Sequence, residues 1–194
     1  FPVGRRRARL PRASSGSPAL RAAAIAFCLA ALTATVARAD CPPADPCRLA
    51  EGRYALAAPS AWDGKTPLPL VVFFHGLGDT PAAVLSRPDM MRLVAEQRVI
   101  LAVPEGIDAR WFVRPGGPRP RDDLAFAAAV AEDVMARHPV DPAMVVASGF
   151  SAGAFLTWTL ACERPGRFTG FLPIAGGFWD PVPEGPCPGG PVAI

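Results

Sequence analysis

The segment Gly149-Phe150-Ser151-Ala152-Gly153 sets a serine two residues from a glycine on either side. It follows the apolar run Met144-Val145-Val146-Ala147-Ser148 and leads into a helical stretch that ends near Cys162. This is the G-x-S-x-G pattern in the strand–turn–helix setting it requires, where a sharp turn lifts a serine hydroxyl above the end of a sheet. Strand and helix approach closely at such a turn, so the flanking residues must be small. The chemistry is nucleophilic acyl transfer, with Ser151 attacking a carbonyl and holding the acyl group covalently. The competing reading is a tight structural turn with no reaction attached.

Acyl transfer develops an oxyanion, which needs N–H donors already aimed at it. Ala152, the residue after the serine, would supply one. The other is expected from His75-Gly76-Leu77-Gly78-Asp79, directly after the apolar run 70–74, with Leu77 as the donor and His75 and Gly76 supporting the loop. An ordinary glycine turn is the plain alternative. His75 has the side chain of a general base, but at the end of that run it reads as a brace for the loop.

A serine nucleophile also needs a base within hydrogen-bond reach. The other histidine, His138, precedes the run 144–148 and so belongs at the opposite end of the sheet. Five strand residues separate the two ends by roughly 16 Å. His138 is expected to be a solvated helix-end residue, favoured there by the helix dipole. Asp180 follows the wrong strand and has no histidine to orient. The 194 residues are therefore expected to lack a working general base.

Alternating elements must position these residues. Residues 53–57 read as an edge strand stopped by Pro59, and 70–74 as a strand buried on both faces. Thr80-Pro81 is an N-cap followed by a first-turn proline, and helix resumes after Pro88 with Met91, Val94 and Ala95 on one apolar face. Residues 99–103 form a second buried strand. Residues 105–121 hold Trp111, Phe112, three glycines and three prolines, a long irregular loop of the kind that is usually functional or mobile. Asp122 and Asp123 open a helix where acids suit its dipole, and it ends before Pro139. The run 144–148 is the third buried strand, 171–175 a short fourth, and 191–194 a fifth just starting. The expected architecture is α/β, a doubly wound and mainly parallel sheet, with no internal repeat and no domain boundary after position 40.

The chain has 20 basic residues, all arginine except Lys65, and seven lie before position 40. From Asp40 onward 13 bases face 17 acids, so the net charge of +3 belongs to the first forty residues, and the remaining balance argues against nucleic acid as a partner. That segment combines a basic stretch at 5–9, an uncharged run at 22–37 and Ala37-Arg38-Ala39, the small-x-small pattern of a signal-peptidase site. Its 16 uncharged residues fall short of the roughly 20 that span a bilayer. The expectation is a cleaved secretory signal over 1–39, with no membrane partner afterwards. Four cysteines then remain, and four permit three pairings. Sequence closeness favours Cys41–Cys47 and Cys162–Cys187 as structural disulfides of an exported protein. Metal is expected to be absent, because neither histidine has ligand-like spacing to the cysteines, and no dinucleotide or phosphate-loop pattern implies a cofactor.

Phe74-His75-Gly76, Arg121-Asp122-Asp123, Val140-Asp141-Pro142, the turn around Ser151 and Ala161-Cys162-Glu163-Arg164-Pro165-Gly166-Arg167-Phe168, in this order, resemble the secreted polyhydroxybutyrate depolymerase and feruloyl esterase-like group of α/β-hydrolases. The resemblance covers about 41–194. It implies a secreted serine carboxylic-ester hydrolase of the α/β-hydrolase fold, with Ser151 as nucleophile, Leu77 and Ala152 as oxyanion donors and an ester as substrate partner. The family's remaining triad members, an aspartate and then a histidine, follow the strand that begins here at Pro191, so the fold is expected to be C-terminally incomplete and the fragment inactive alone. Other hydrolases of the same scaffold, such as peptidases or dienelactone-type enzymes, and a non-catalytic exported binding protein are the alternatives. Trp111, Phe112 and Phe150 are candidates for an aromatic wall around a polyester or phenolic acyl group; core packing under the long loop is the plain reading.

Overall fold

The computed structural model describes residues 41–194 apart from Pro115, Asp180, Pro181 and Pro183. The expected signal segment 1–39 and the weighed Asp180 lie outside the described residues. The elements in chain order are β1 (Cys47–Arg48), β2 (Arg53–Ala57), β3 (Leu68–Phe74), α1 (Pro81–Leu85), α2 (Pro88–Gln97), β4 (Ile100–Pro104), α3 (Asp123–Arg137), β5 (Val140–Phe150), α4 (Ala152–Glu163) and β6 (Gly170–Ile174). They form one sheet in the order β1-β2-β4-β3-β5-β6. The four strands β4, β3, β5 and β6 are parallel neighbours, while β1 and β2 pair antiparallel at one side.

The period-two alternation of a strand sorts its side chains onto two faces. Leu70, Val72 and Phe74 of β3 and Ile100 and Ala102 of β4 point one way, into the larger core with Leu124, Ala127, Val130 and Val134 of α3 and Leu156 and Leu160 of α4. Phe73, Leu101 and Val103 point the other way and meet Val84 and Leu85 of α1 and Val94 of α2. Both faces are covered by helices, which is why the central strands read as unbroken apolar runs.

Local sequence sets the helix starts. Thr80 Oγ1 accepts from the Ala83 N–H at 3.1 Å ahead of Pro81, and Asp122 accepts from the N–H groups of Leu124 and Ala125 at the start of α3. The long loop 105–121 is irregular, as its sequence implies, but it is pinned. Arg121, buried against the Phe126 ring at 4.1 Å, pairs with the buried Asp123 at 2.7 Å and donates to the Glu105 carbonyl. Asp123 also accepts from the Phe112 N–H at 2.6 Å. Disulfides join Cys41 to Cys47 and Cys162 to Cys187, the pairing favoured by sequence closeness.

Several expectations are corrected. β2 is not an edge strand, because the two-residue β1 covers its outer side. On α2 Ala95 is exposed, and the helix buries only Val94, with Met91 half-buried. β5 extends well beyond 144–148 at both ends. Residues 191–194 form no strand, although the Phe171 N–H donates to the Ala193 carbonyl at 2.9 Å. His138 is half-buried rather than solvated, with its ring 5.9 Å from that of Trp62. No helix among the described residues is long and apolar enough to cross a membrane.

Candidate active site

The sheet itself locates the site. From β3 the chain moves to β4 on one side, then crosses back to β5 on the other. In open α/β sheets ligands bind outside the carboxyl ends of strands where the order reverses in this way. The segments leaving β3 and β5 at that point are His75-Gly76-Leu77-Gly78-Asp79 and Ser151-Ala152.

Ser151 joins β5 to α4 with φ 51° and ψ −113°, a conformation outside the regular regions. Such a residue costs about 1–3 kcal/mol and persists only where its surroundings dictate it. Here the surroundings are backbone. The Ser151 N–H donates to the Ile174 carbonyl at 2.9 Å, and the Ser151 carbonyl accepts from Ala154 and Phe155. A Cβ on Gly149 would lie 2.3 Å from the Gly153 carbonyl oxygen, and one on Gly153 would lie 2.0 Å from the Phe74 carbonyl oxygen. Both glycines are therefore dictated by the close approach of strand and helix. Ser151 stands at the N-cap position of α4, yet its side chain caps no helix N–H. The hydroxyl is left for other work.

The segment after β3 lies against this turn. A Cβ on Gly76 would be 3.4 Å from the Phe150 ring and 3.9 Å from Ser151 Cβ. Gly78 has φ 77° and donates its N–H to the Ala109 carbonyl at 3.0 Å, and the Asp79 N–H donates back to the Gly76 carbonyl. Among the described residues the N–H groups of Leu77 and Ala152 have no acceptor. Ala152 occupies the first helical position of α4, where N–H groups lack intrahelical partners and the helix dipole is positive.

His75 is fully buried, and both ring nitrogens are committed. Nε2 accepts from the Gly106 N–H at 3.1 Å, so the proton is on Nδ1, which donates to the Gly76 carbonyl at 2.8 Å. Burial pushes its pKa below the usual histidine value, while Gly76 and the charges of Asp79 and Glu105 oppose that shift. The Trp111 indole N–H donates to the His75 carbonyl at 2.8 Å and packs on the Phe74 and His75 rings. A neutral ring with both nitrogens occupied holds the loop and abstracts no proton.

Gly76, Leu77, Gly78, Asp79, Arg87, Phe150 and Ser151 line one cavity of about 300 Å³. Leu77 is 67% and Phe150 46% exposed, so they give it two apolar walls. The aromatic wall considered from sequence is corrected at two of its three positions. Trp111, only 9% exposed, is core material, and with Phe112 it lines a separate cavity alongside Arg114, Gly116, Gly117 and Pro118. Phe150 alone of the three faces the Ser151 cavity. Sequence reasoning missed Arg87, which reaches this lining because α1 turns the chain back toward its own start. Among the described residues no histidine lines the cavity, and His138 closes α3 at the far end of β5.

No protein-family model matches the chain. Its sequence is similar to a protein of Nocardia uniformis subsp. tsuyamanensis designated an esterase, NocK, at 34% identity over 140 residues, which are 68% of this chain and 40% of that protein. It is similar to feruloyl esterase C of Emericella nidulans at 29% over 129 residues, 64% of this chain and 46% of the relative. Poly(3-hydroxyalkanoate) depolymerase C of Paucimonas lemoignei matches at 30% over 116 residues, 56% of this chain and 28% of the relative. The matches thus span less than half the length of these relatives. Among solved structures, the fold is that of the fluorophosphonate-binding serine hydrolase FphF of Staphylococcus aureus (TM-score 0.53, 16% identity, 64% of this chain and 51% of that one). A phospholipase/carboxylesterase of Dyadobacter fermentans is equally near (TM-score 0.52, 20% identity, 64% and 60%).

Proposed function

We propose, from the premise that the chain carries an α/β-hydrolase fold, that the protein is an exported serine carboxylic-ester hydrolase of the feruloyl esterase and polyhydroxyalkanoate depolymerase kind. The observation that carries this reading is the strained Ser151, which lines a cavity and whose hydroxyl caps no helix N–H, while among the described residues the N–H groups of Leu77 and Ala152 have no acceptor. Ser151 Oγ attacks the ester carbonyl, and the N–H groups of Leu77 and Ala152 hold the resulting oxyanion. The alcohol departs, and water then releases the acyl group from Ser151. Oriented donors of this kind are each worth about 3–4 kcal/mol of barrier.

The base is the part these residues do not supply. His75 is occupied and His138 is remote. In the family that the sequence resembles, an aspartate and a histidine follow β6 by a further stretch of chain, and we assign the base to that region of the whole protein. Two disulfides and the secretory pattern over 1–39 support export.

The test is hydrolysis of p-nitrophenyl acetate and butyrate by the 194-residue chain and by a form extended through the downstream aspartate and histidine. The extended form is expected to turn over and the shorter one to be inert. Ser151→Ala in the extended form is expected to lower kcat by about 10⁴-fold or more. Strong turnover by the shorter chain, or by Ser151→Ala, overturns the assignment.

A further inference from the structure

The Ser151 cavity has a polar corner that the esterase mechanism does not use. Arg87, whose side chain is 46% exposed, forms an ion pair with Asp79, and both line the cavity with Leu77, Phe150 and Ser151. Asp79 is held from behind, since its other carboxylate oxygen accepts from the Thr80 N–H at 2.9 Å. Arg87 precedes Pro88 at the N-terminus of α2, with extended backbone and no capping bond from its side chain. Two short helix starts and a fixed carboxylate therefore set where this guanidinium sits.

A guanidinium has five N–H donors in a planar fork. One Nη of Arg87 serves Asp79, and no other described residue accepts from the remaining donors. Arg87 lines a cavity that it shares with the apolar Leu77 and Phe150 and with Asp79 and Ser151. The charge of Arg87 is neutralised by Asp79 alongside it. A full anion gains little from such a pair and meets the Asp79 carboxylate, whereas a neutral oxygen acceptor takes the free donors without repulsion. The cavity, at about 300 Å³, has room for a small acyl group beside Ser151.

We propose that Arg87, held by Asp79, determines specificity by binding a second, uncharged oxygen acceptor on the acyl group, a carbonyl or hydroxyl a few carbons from the ester that Ser151 attacks. The substrate class is then a short oxygenated acyl ester with an apolar segment between its two polar ends. This rests on the assignment of Ser151 above and adds the feature by which the site selects among esters.

The experiment compares kcat/KM of the full-length protein for p-nitrophenyl 4-oxopentanoate and p-nitrophenyl pentanoate, two esters that differ only at the carbon placed toward Arg87. A hydrogen bond to a charged donor corresponds to about tenfold or more in this ratio. Wild type is expected to favour the oxo ester by about tenfold. Arg87→Met is expected to bring the ratio close to one, and Arg87→Lys, which keeps a donor, to restore part of it. A ratio read within one variant is insensitive to how much of that variant is folded. A wild-type ratio near one, or an Arg87→Met ratio within twofold of wild type, overturns the inference while leaving Ser151 as nucleophile. Failure of both esters to react, with no fluorophosphonate labelling at Ser151, overturns both.

Discussion

The imidazole of His75 and the backbone N–H of Gly106 are joined by a 3.1 Å hydrogen bond that ties the segment leaving β3 to the segment leaving β4. The bond exists only while Nε2 is unprotonated, and the Trp111 indole reinforces the same junction from the carbonyl side.

This makes the junction acid-sensitive. The pKa of His75 in the folded protein lies below its ordinary value of 6.5, chiefly because burial disfavours the charged ring. A depressed value means that the stability contributed by His75 is complete above 6.5 and is lost as pH falls through the lower, folded value. Asp79 and Glu105 favour the proton and Arg121 opposes it, without reversing the direction. Thermal midpoints measured downward from pH 7.5 should fall below 6.5 in wild type, with a flatter slope in His75→Gln. Equal slopes in the two proteins would show that the ring does not titrate within the fold.

The indole contribution can be isolated. Trp111→Phe keeps an aromatic ring against Phe74 and removes the donor that satisfies the His75 carbonyl. Leaving that buried carbonyl unpaired should cost about 1–3 kcal/mol in urea unfolding. A variant as stable as wild type would mean the carbonyl finds another donor.

At the turn, the two glycines are fixed by backbone rather than by side chains. A methyl group at Gly153 would overlap the Phe74 carbonyl and one at Gly149 would overlap the Gly153 carbonyl. Neither neighbour can rotate away. Gly153→Ala and Gly149→Ala should each cost more than about 3 kcal/mol, at the severe end of single substitutions, as read by denaturant midpoint or loss of soluble protein. A mild loss would mean the strand and helix can separate.

Ser151 carries the opposite expectation. Ser151→Gly removes the Cβ from a residue at φ 51°, and the relief of strain should outweigh the added freedom of the unfolded chain by about 1 kcal/mol. In the extended form the more stable protein should also be the inactive one. Urea midpoints that fall in Ser151→Gly would show that the turn is unstrained.

Under the long loop, Asp123 compensates the buried Arg121 and accepts from the Phe112 N–H. Asp123→Ala leaves that guanidinium uncompensated under the long loop and should cost about 3–5 kcal/mol. A double variant, Arg121→Leu with Asp123→Ala, is expected to recover part of the loss.

The turn around Ser151 was legible in the sequence because its signal is steric. Glycines stand where no other residue fits, and that requirement is local to five positions. The segment 75–79 was legible for a similar reason, as a glycine-rich exit from a buried strand. The core strands were legible as apolar runs because helices cover both faces. What escaped was set by distant chain. Trp111 was a candidate for wall or core and is core, since only the fold shows that its indole meets the His75 carbonyl at the exit of the neighbouring strand. Arg87 carried no signal, because its place beside Ser151 depends on how α1 reverses the chain. β1 is too short to have a pattern, and β2 looked like an edge for want of it.

The turn also divides the site by what substitution can alter. The turn at Ser151 is set chiefly by Gly149 and Gly153 lying against main-chain carbonyls, where an added methyl group would overlap backbone. The rim, by contrast, is Leu77, Phe150 and Arg87, side chains reaching into solvent. Exchanging those three side chains would alter what the cavity admits while leaving the backbone around Ser151 in place, so the lining and the turn can be varied independently of one another.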